Sequence, residues 1–222
     1  MPGRNPSQLH CAVDQRGSTV SLNGVVVLVA LAVWAYVMRV RDERARIALL
    51  AQHLRPFNIE QLMEQLTTGY LRALEQEDPE RRHAIWSNQH LSEERLRDQI
   101  QAFTLEFANV PPDQARVGKL PVSIFYTRWL LPQAVFDFRK ALAIHTHGIT
   151  DAVDNLAALS PQERAFTLLA ELMLFQHTCH WFCKSLPVAS GRLLLRHQTP
   201  YAKVLASVGT NTRRAYRALT GR

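Results

Sequence analysis

Leu22 to Met38 reads LNGVVVLVALAVWAYVM, a run of 17 residues without a charge, and Arg39, Arg41, Arg44 and Arg46 follow at once. A helix rising about 1.5 Å per residue needs roughly 17–25 apolar residues to cross the hydrocarbon of a bilayer. Thr19 to Val40 meets that length. The stretch is apolar on every face, so it predicts a single membrane-spanning helix from which the rest of the chain hangs. Val25, Leu28 and Leu31 form its lipid-facing body. Trp34 and Tyr36 suit the headgroup level, and Arg39 and Arg41 lie at the anionic surface. Two other readings compete. A cleaved signal peptide has an apolar core of about 7–15 residues and a small-residue cleavage site. Ala30-Leu31-Ala32 resembles such a site, but the apolar run continues through Val37 to the arginines. A buried core helix carries a polar stripe, which Val25 to Val33 lacks.

Lys and Arg near the helix ends set the expected orientation. Arg4 and Arg16 precede the span; Arg39, Arg41, Arg44, Arg46 and Arg55 follow it. Five against two places the C-terminal bulk in the cytoplasm of a bacterium. Residues 1–19 are then a flexible tail on the far side. Residues 20–54 form one helix that leaves the membrane as a stalk and ends at Arg55-Pro56. Its arginines near residues 39–46 meet anionic lipid headgroups, each contributing about 1 kcal/mol.

Beyond the anchor, about 165–180 residues remain, enough for one hydrophobic core. The 47% hydrophobic content argues against disorder. Three cysteines, Cys11, Cys179 and Cys183, make no disulfide framework. The last two lie one helical turn apart and suit reduced thiols in a cytoplasmic core.

Helix signals run through residues 55–222 and predict an all-α domain. Asn58 with Gln61 reads as a capping box for a helix whose apolar face holds Ile59, Leu62, Met63, Leu66, Tyr70, Leu71 and Leu74. Asp78-Pro79-Glu80 opens a short helix with Ile85 and Trp86. Ser92-Glu93-Glu94 opens another, with Leu96, Ile100, Phe103, Leu105 and Phe107 inward, which stops before Pro111-Pro112. Residues 111–122 read as a loop. Ser123 to Leu131 is helix, strand or linker, and no second strand offers to pair with it. Gln133 to His147 reads as a helix ended by Gly148, and Thr150 to Leu159 as a short segment. Ser160-Pro161-Gln162-Glu163 opens a helix to about Leu186 that is apolar almost all round and central to the bundle. Its Ala165 to Phe182 portion is long enough to raise a second span, against which stand the buried-charge costs of Glu171, His177 and His180. A helix over 189–198 follows, then Thr199-Pro200 caps the last stretch, broken at Gly209 before Asn211 to Leu219.

Charge is unevenly distributed within the net +7. Arg55 to Glu106 carries ten acids and six arginines; after Glu171 there are eight cations and no acid. Arg192, Arg196, Lys203, Arg213, Arg214 and Arg217 are therefore the candidate partner- or anion-binding residues. They suit an acidic protein surface, anionic lipid or nucleic acid, with Tyr201 and Tyr216 the aromatics available for stacking. Alternatively they dock on the acidic half of the same chain. Among His177, Cys179, His180 and Cys183, the residues His177, His180 and Cys183 are the candidates for zinc, though one helix cannot turn all four to one point. His145 and His147 read as helix C-terminal charges, and Asp151 and Asp154 as acids at a helix start. P-loop, G-x-G-x-x-G, G-x-S-x-G and H-E-x-x-H motifs are absent, which argues against the familiar nucleotide enzymes and hydrolases and leaves other kinds of enzyme open. No cofactor or small-molecule substrate is indicated. The expected role is a non-catalytic subunit or adaptor of an inner-membrane assembly, of which secretion and conjugative-transfer machines are examples. A membrane-tethered nucleic-acid binder and a metal-dependent membrane enzyme are the alternatives.

Overall fold

A computed structural model describes residues 16–119 and 132–221. Residues 1–15 of the expected tail, Cys11 among them, and the ambiguous Ser123 to Leu131 lie outside the described residues. Residues 16–19, expected in the tail, are instead the first turn of the helix that follows, since Arg16 to Val20 holds no proline to stop it. The chain divides into two compact units between Arg41 and Asp42. Eight α-helices, one short 3-10 helix (Pro132–Ala134) and one two-stranded ribbon make up the regular structure of the described residues.

Helix α1 runs Arg16–Leu54, ending where Arg55-Pro56 was expected to break it. Within Gly24–Leu54, the most apolar 18-residue window has none of its residues buried. Among the described residues this is the one helix long and apolar enough to cross a membrane. Val25, Leu28, Leu31, Trp34 and Tyr36 are all exposed.

The second unit starts at Asp42, inside α1. The last turns of the helix are core rather than a free stalk: Glu43, Arg46 and Leu50 are buried. Arg46 donates to the carbonyl oxygens of Phe182 (2.7 Å) and Arg116 (2.8 Å), and its guanidinium stands 5.3 Å from the Phe182 ring centre. Lys184 reaches Glu43 at 2.9 Å. Arg46 is thus consumed inside the protein and is no headgroup ligand.

Helix α2 (Ile59–Glu75) packs on α3 (Pro79–Phe107). The expected Asn58 capping box does not form; the Asn58 backbone N–H donates to Gln99 Oε1 of α3 instead. Leu71 and Leu74 face outward, while Ile59, Leu66, Tyr70 and Ala73 are buried. The two short helices expected over 79–107 are one. Asp78 caps it, accepting from Glu80 N, and nothing between Arg82 and Leu91 breaks it. Ser92 and Glu93 are buried in its middle, and Leu105, expected inward, is 73% exposed.

The stretch expected as loop and helix holds an antiparallel ribbon. Strand β1 (Arg116–Gly118) pairs with β2 (Val135–Asp137) in the register Arg116–Asp137, Val117–Phe136, Gly118–Val135. Two flanking backbone bonds, Lys119 N to Ala134 O and Phe138 N to Ala115 O, extend the ladder. Three residues a side give too little periodicity to read from sequence. The ribbon survives because Trp181 clamps it: the indole donates to Gly118 O at 2.9 Å and packs edge-on against Phe136.

Helix α4 (Phe138–Val153) starts five residues later than expected, because Asp137 caps it, and runs through Gly148. That glycine is a crossing point, not a terminator. A Cβ there would stand 2.2 Å from Thr212 Oγ1 and 2.6 Å from Glu171 Oε2. His145 and His147 consequently lie mid-helix, the first buried and the second exposed. Asp151 lies in the last turn, and Asp154 is the C-cap rather than a helix start.

Helix α5 (Pro161–Cys183) opens with the predicted capping box of Ser160 and Glu163. It is the central helix, packed against α2, α4, α6, α7 and β1. Leu168, Leu172, Phe175, Trp181 and Phe182 are buried by protein, so no membrane is needed to cover it. Helix α6 (Leu186–His197) begins earlier than expected, since Pro187 falls in its first turn, where its missing N–H costs nothing. Helices α7 (Tyr201–Ser207) and α8 (Thr210–Thr220) follow, separated at Gly209 as expected. The main core centres on Phe103, Phe107, Phe138 and Phe182; a smaller one gathers Leu174, Leu193, Val204 and Leu205 around Tyr216.

Candidate functional site

The cationic end is built by α6, α7 and α8. Each helix buries one stripe and leaves the others to solvent. On α8, Thr212, Tyr216 and Thr220 point inward at four-residue intervals. Arg214 and Arg217 are left exposed, and half-buried Arg213 donates to Ala206 O. On α7, Val204 and Leu205 are buried and Lys203 is exposed; on α6, Leu193 is buried and Arg192 and Arg196 are exposed. None of the six cations makes an ion pair among the described residues, and the acidic half is not their partner. Two of its acids pair elsewhere: Glu93 with Arg164 and Glu106 with His53.

The two tyrosines offered for base stacking are committed inside. Tyr216 is fully buried, and its hydroxyl lies 2.9 Å from Thr178 Oγ1. The Tyr201 ring stacks on His177 at 4.5 Å. Thr178 also meets His145 Nε2 at 2.9 Å, so a buried chain His145–Thr178–Tyr216 ties α4, α5 and α8 together. Sequence reading missed it because each member has an ordinary helical position.

The His/Cys run on α5 splits between different surroundings. Cys179 and Cys183 are free thiols in the core. Burial raises both, Cys183 up to about 11 and Cys179 well above its ordinary value, so neither is a thiolate near neutrality. His177 bonds Ser190 Oγ at 3.1 Å, and burial, with the nearby His180, lowers it to about 4. Among the described residues, no group of three or more His, Cys, Asp or Glu side chains is placed to hold a metal ion.

His177 and His180 do share a feature with the cationic end. They line a cavity of about 410 Å³ between α5 and α6, together with Gln176, Arg192, Leu193 and Arg196. His180 is half-buried and is lowered by burial first, then by the charges of Arg192, Arg196 and His197.

A second ionisable centre lies under α8. Glu171, fully buried on α5, accepts from Gly209 N at 2.9 Å, at the N-terminal end of α8. Burial lifts it to about 7, and the Thr212 and Gly209 hydrogen bonds oppose the rise. Burial takes His145 down to about 3. The signs then oppose one another. Glu171 binds its proton more tightly folded than unfolded, so its contribution is lost as pH rises from about 4.5 to 7. His145 and His177 bind theirs less tightly folded, so their contribution is lost as pH falls from about 6.5 to between 3 and 4. Glu171→Gln keeps an acceptor for Gly209 and removes the carboxylate. Its stability advantage over the wild type should grow by on the order of 2 kcal/mol between pH 4.5 and 7.5. Urea midpoints at those two pH values check this; an advantage that stays constant contradicts it.

Comparison with protein-family models, curated proteins and solved structures returns no match to this chain.

Proposed function

We propose that this chain is a single-pass, membrane-anchored, non-catalytic helical adaptor within a bacterial inner-membrane protein assembly, its bulk in the cytoplasm. The observation that carries the reading is the wholly exposed apolar window of α1. Val25 to Val33 offers a bilayer, or other membrane helices, a surface that water solvates poorly. Three features support the remainder. The five-to-two excess of arginine behind the span favours a cytoplasmic C-terminal side. Cys179 and Cys183, buried and sparse, form no disulfide framework and suit a reducing compartment. Arg213, Arg214 and Arg217 on α8, with Lys203 on α7, form no ion pair among the described residues and suit an acidic partner surface. Secretion and conjugative-transfer machines are hosts of the appropriate kind.

Nucleic acid is the weaker reading. With Tyr216 buried and Tyr201 stacked on His177, the cationic end offers phosphate contacts but neither tyrosine as a free ring on which a base could stack.

Reporter fusions at the C-terminus test the orientation. An enzyme active only in the cytoplasm should be active, and one active only outside it inactive. The reverse pattern overturns both the orientation and the cytoplasmic partner. A second measurement addresses the partner: the triple variant R213E/R214E/R217E should stay in the membrane and migrate in a smaller complex after mild detergent extraction. Wild type and variant migrating alike would remove the basic end from the assembly contact.

A further inference from the structure

The cavity between α5 and α6 has a composition that the adaptor role does not call for. Arg192 and Arg196 stand one turn apart on α6, and His180 faces them from α5 closely enough for both guanidinium charges to depress its proton affinity. No acidic side chain lines the space, and neither guanidinium makes an ion pair or hydrogen bond among the described residues. The His180 imidazole likewise makes no hydrogen bond among the described residues. Gln176 gives its oxygen to His197, leaving the amide nitrogen to donate elsewhere. His177, fully buried on the inner side, has an Nδ1 with no partner. Two guanidinium groups and the Gln176 amide nitrogen therefore gather at one place with no carboxylate to receive them. Uncompensated like charges this close repel, and a bound anion converts the repulsion into charge-assisted hydrogen bonds.

We propose that this cavity binds a phosphate monoester, with Arg192 and Arg196 as its cationic walls and His180 and Gln176 as further donors. Two guanidinium forks match the oxygens of a phosphate, and a dianion balances more of the local charge than a carboxylate does. The volume, about 410 Å³, exceeds that of phosphate alone and falls in the range of small-ligand sites. Leu193 gives the organic portion an apolar wall. The site uses none of the α8 arginines, so it stands or falls apart from the adaptor reading. The phosphate can belong to a soluble ester or to a lipid headgroup.

The test uses the full chain in neutral detergent, titrated with glycerol 3-phosphate at constant ionic strength and followed by calorimetry and histidine NMR. Saturable binding is expected, together with a rise in the His180 titration midpoint, since a dianion favours the imidazolium. R192Q/R196Q should weaken binding by about tenfold or more while leaving the melting curve in place. H180Q identifies the shifted resonance. A parallel titration with phosphatidylcholine vesicles, with and without phosphatidic acid, separates the sources. Binding of glycerol 3-phosphate alone assigns a soluble ester, and binding of phosphatidic acid alone assigns a headgroup. No saturable binding of either probe overturns the proposal. So does binding that R192Q/R196Q leaves unchanged.

Discussion

Replacing Leu28 and Leu31 together by arginine should release the protein from the membrane. Both side chains are exposed in the apolar window of α1, at 67% and 56%. Near the middle of a span, leucine favours insertion by about 0.3–0.6 kcal/mol, and arginine opposes it by about 2.5–3.5 kcal/mol. Two exchanges therefore shift the balance by on the order of 6 kcal/mol, enough to reverse partition for a single helix. Flotation in a density gradient is the measurement, because aggregates sediment and membrane-embedded protein rises. L28A/L31A, which keeps the window uncharged, should float. A double-arginine variant that still floats would mean that α1 is not what holds the chain to the bilayer.

Removing the Arg164 side chain should cost the domain about 3–5 kcal/mol. Glu93 is fully buried at the middle of α3, and Arg164, on the first turn of α5, meets it with both terminal nitrogens. The Tyr70 hydroxyl donates to the same carboxylate, and burial together with that charge raises the phenol well above its ordinary value. Arg164→Ala strands a carboxylate in the core; Glu93→Ala strands a guanidinium and a phenol. Attraction between the partners offsets the loss of hydration only while both are present. A triple exchange, Y70F/E93L/R164M, leaves no charge or hydroxyl behind and should recover most of the lost stability. Urea unfolding of the four proteins decides the matter. A triple variant as unstable as Arg164→Ala would show that the damage comes from packing and not from a stranded charge.

Legibility in the sequence followed the reach of the signal. The Ser160 capping box and the end of α1 at Leu54 were readable because each is set within four residues. Ser92-Glu93-Glu94 carries the same kind of signal and misled. Its acids suit a helix start, but an unbroken run of helix formers precedes them, and Glu93 is held by a residue 71 positions away. A hint was present at the other end. Arg164 lies in the first turn of a helix, where the dipole disfavours a cation, so an acid from elsewhere had to hold it. Gly148 shows the same ambiguity: glycine ends helices and also lets them cross closely, and the sequence alone does not separate the two. The cationic end was visible as composition. That Arg192 and Arg196 share a cavity with His180 depends on how α6 folds back on α5.

The buried Arg46 also bears on the order of events during synthesis. Its guanidinium leaves the ribosome early, yet the Phe182 carbonyl that accepts from it is 136 residues further along. At a translation rate of about 5–20 residues per second, that delay is on the order of 10 seconds or more. Throughout it, the end of α1 is an unfinished surface: Asp42, one turn back, pairs with the guanidinium at 3.3 Å, but the carbonyl oxygens that will receive its protons are not yet in place. The nascent chain therefore relies on water or a chaperone to shelter this segment, and a message truncated before codon 182 yields a product that cannot close its core.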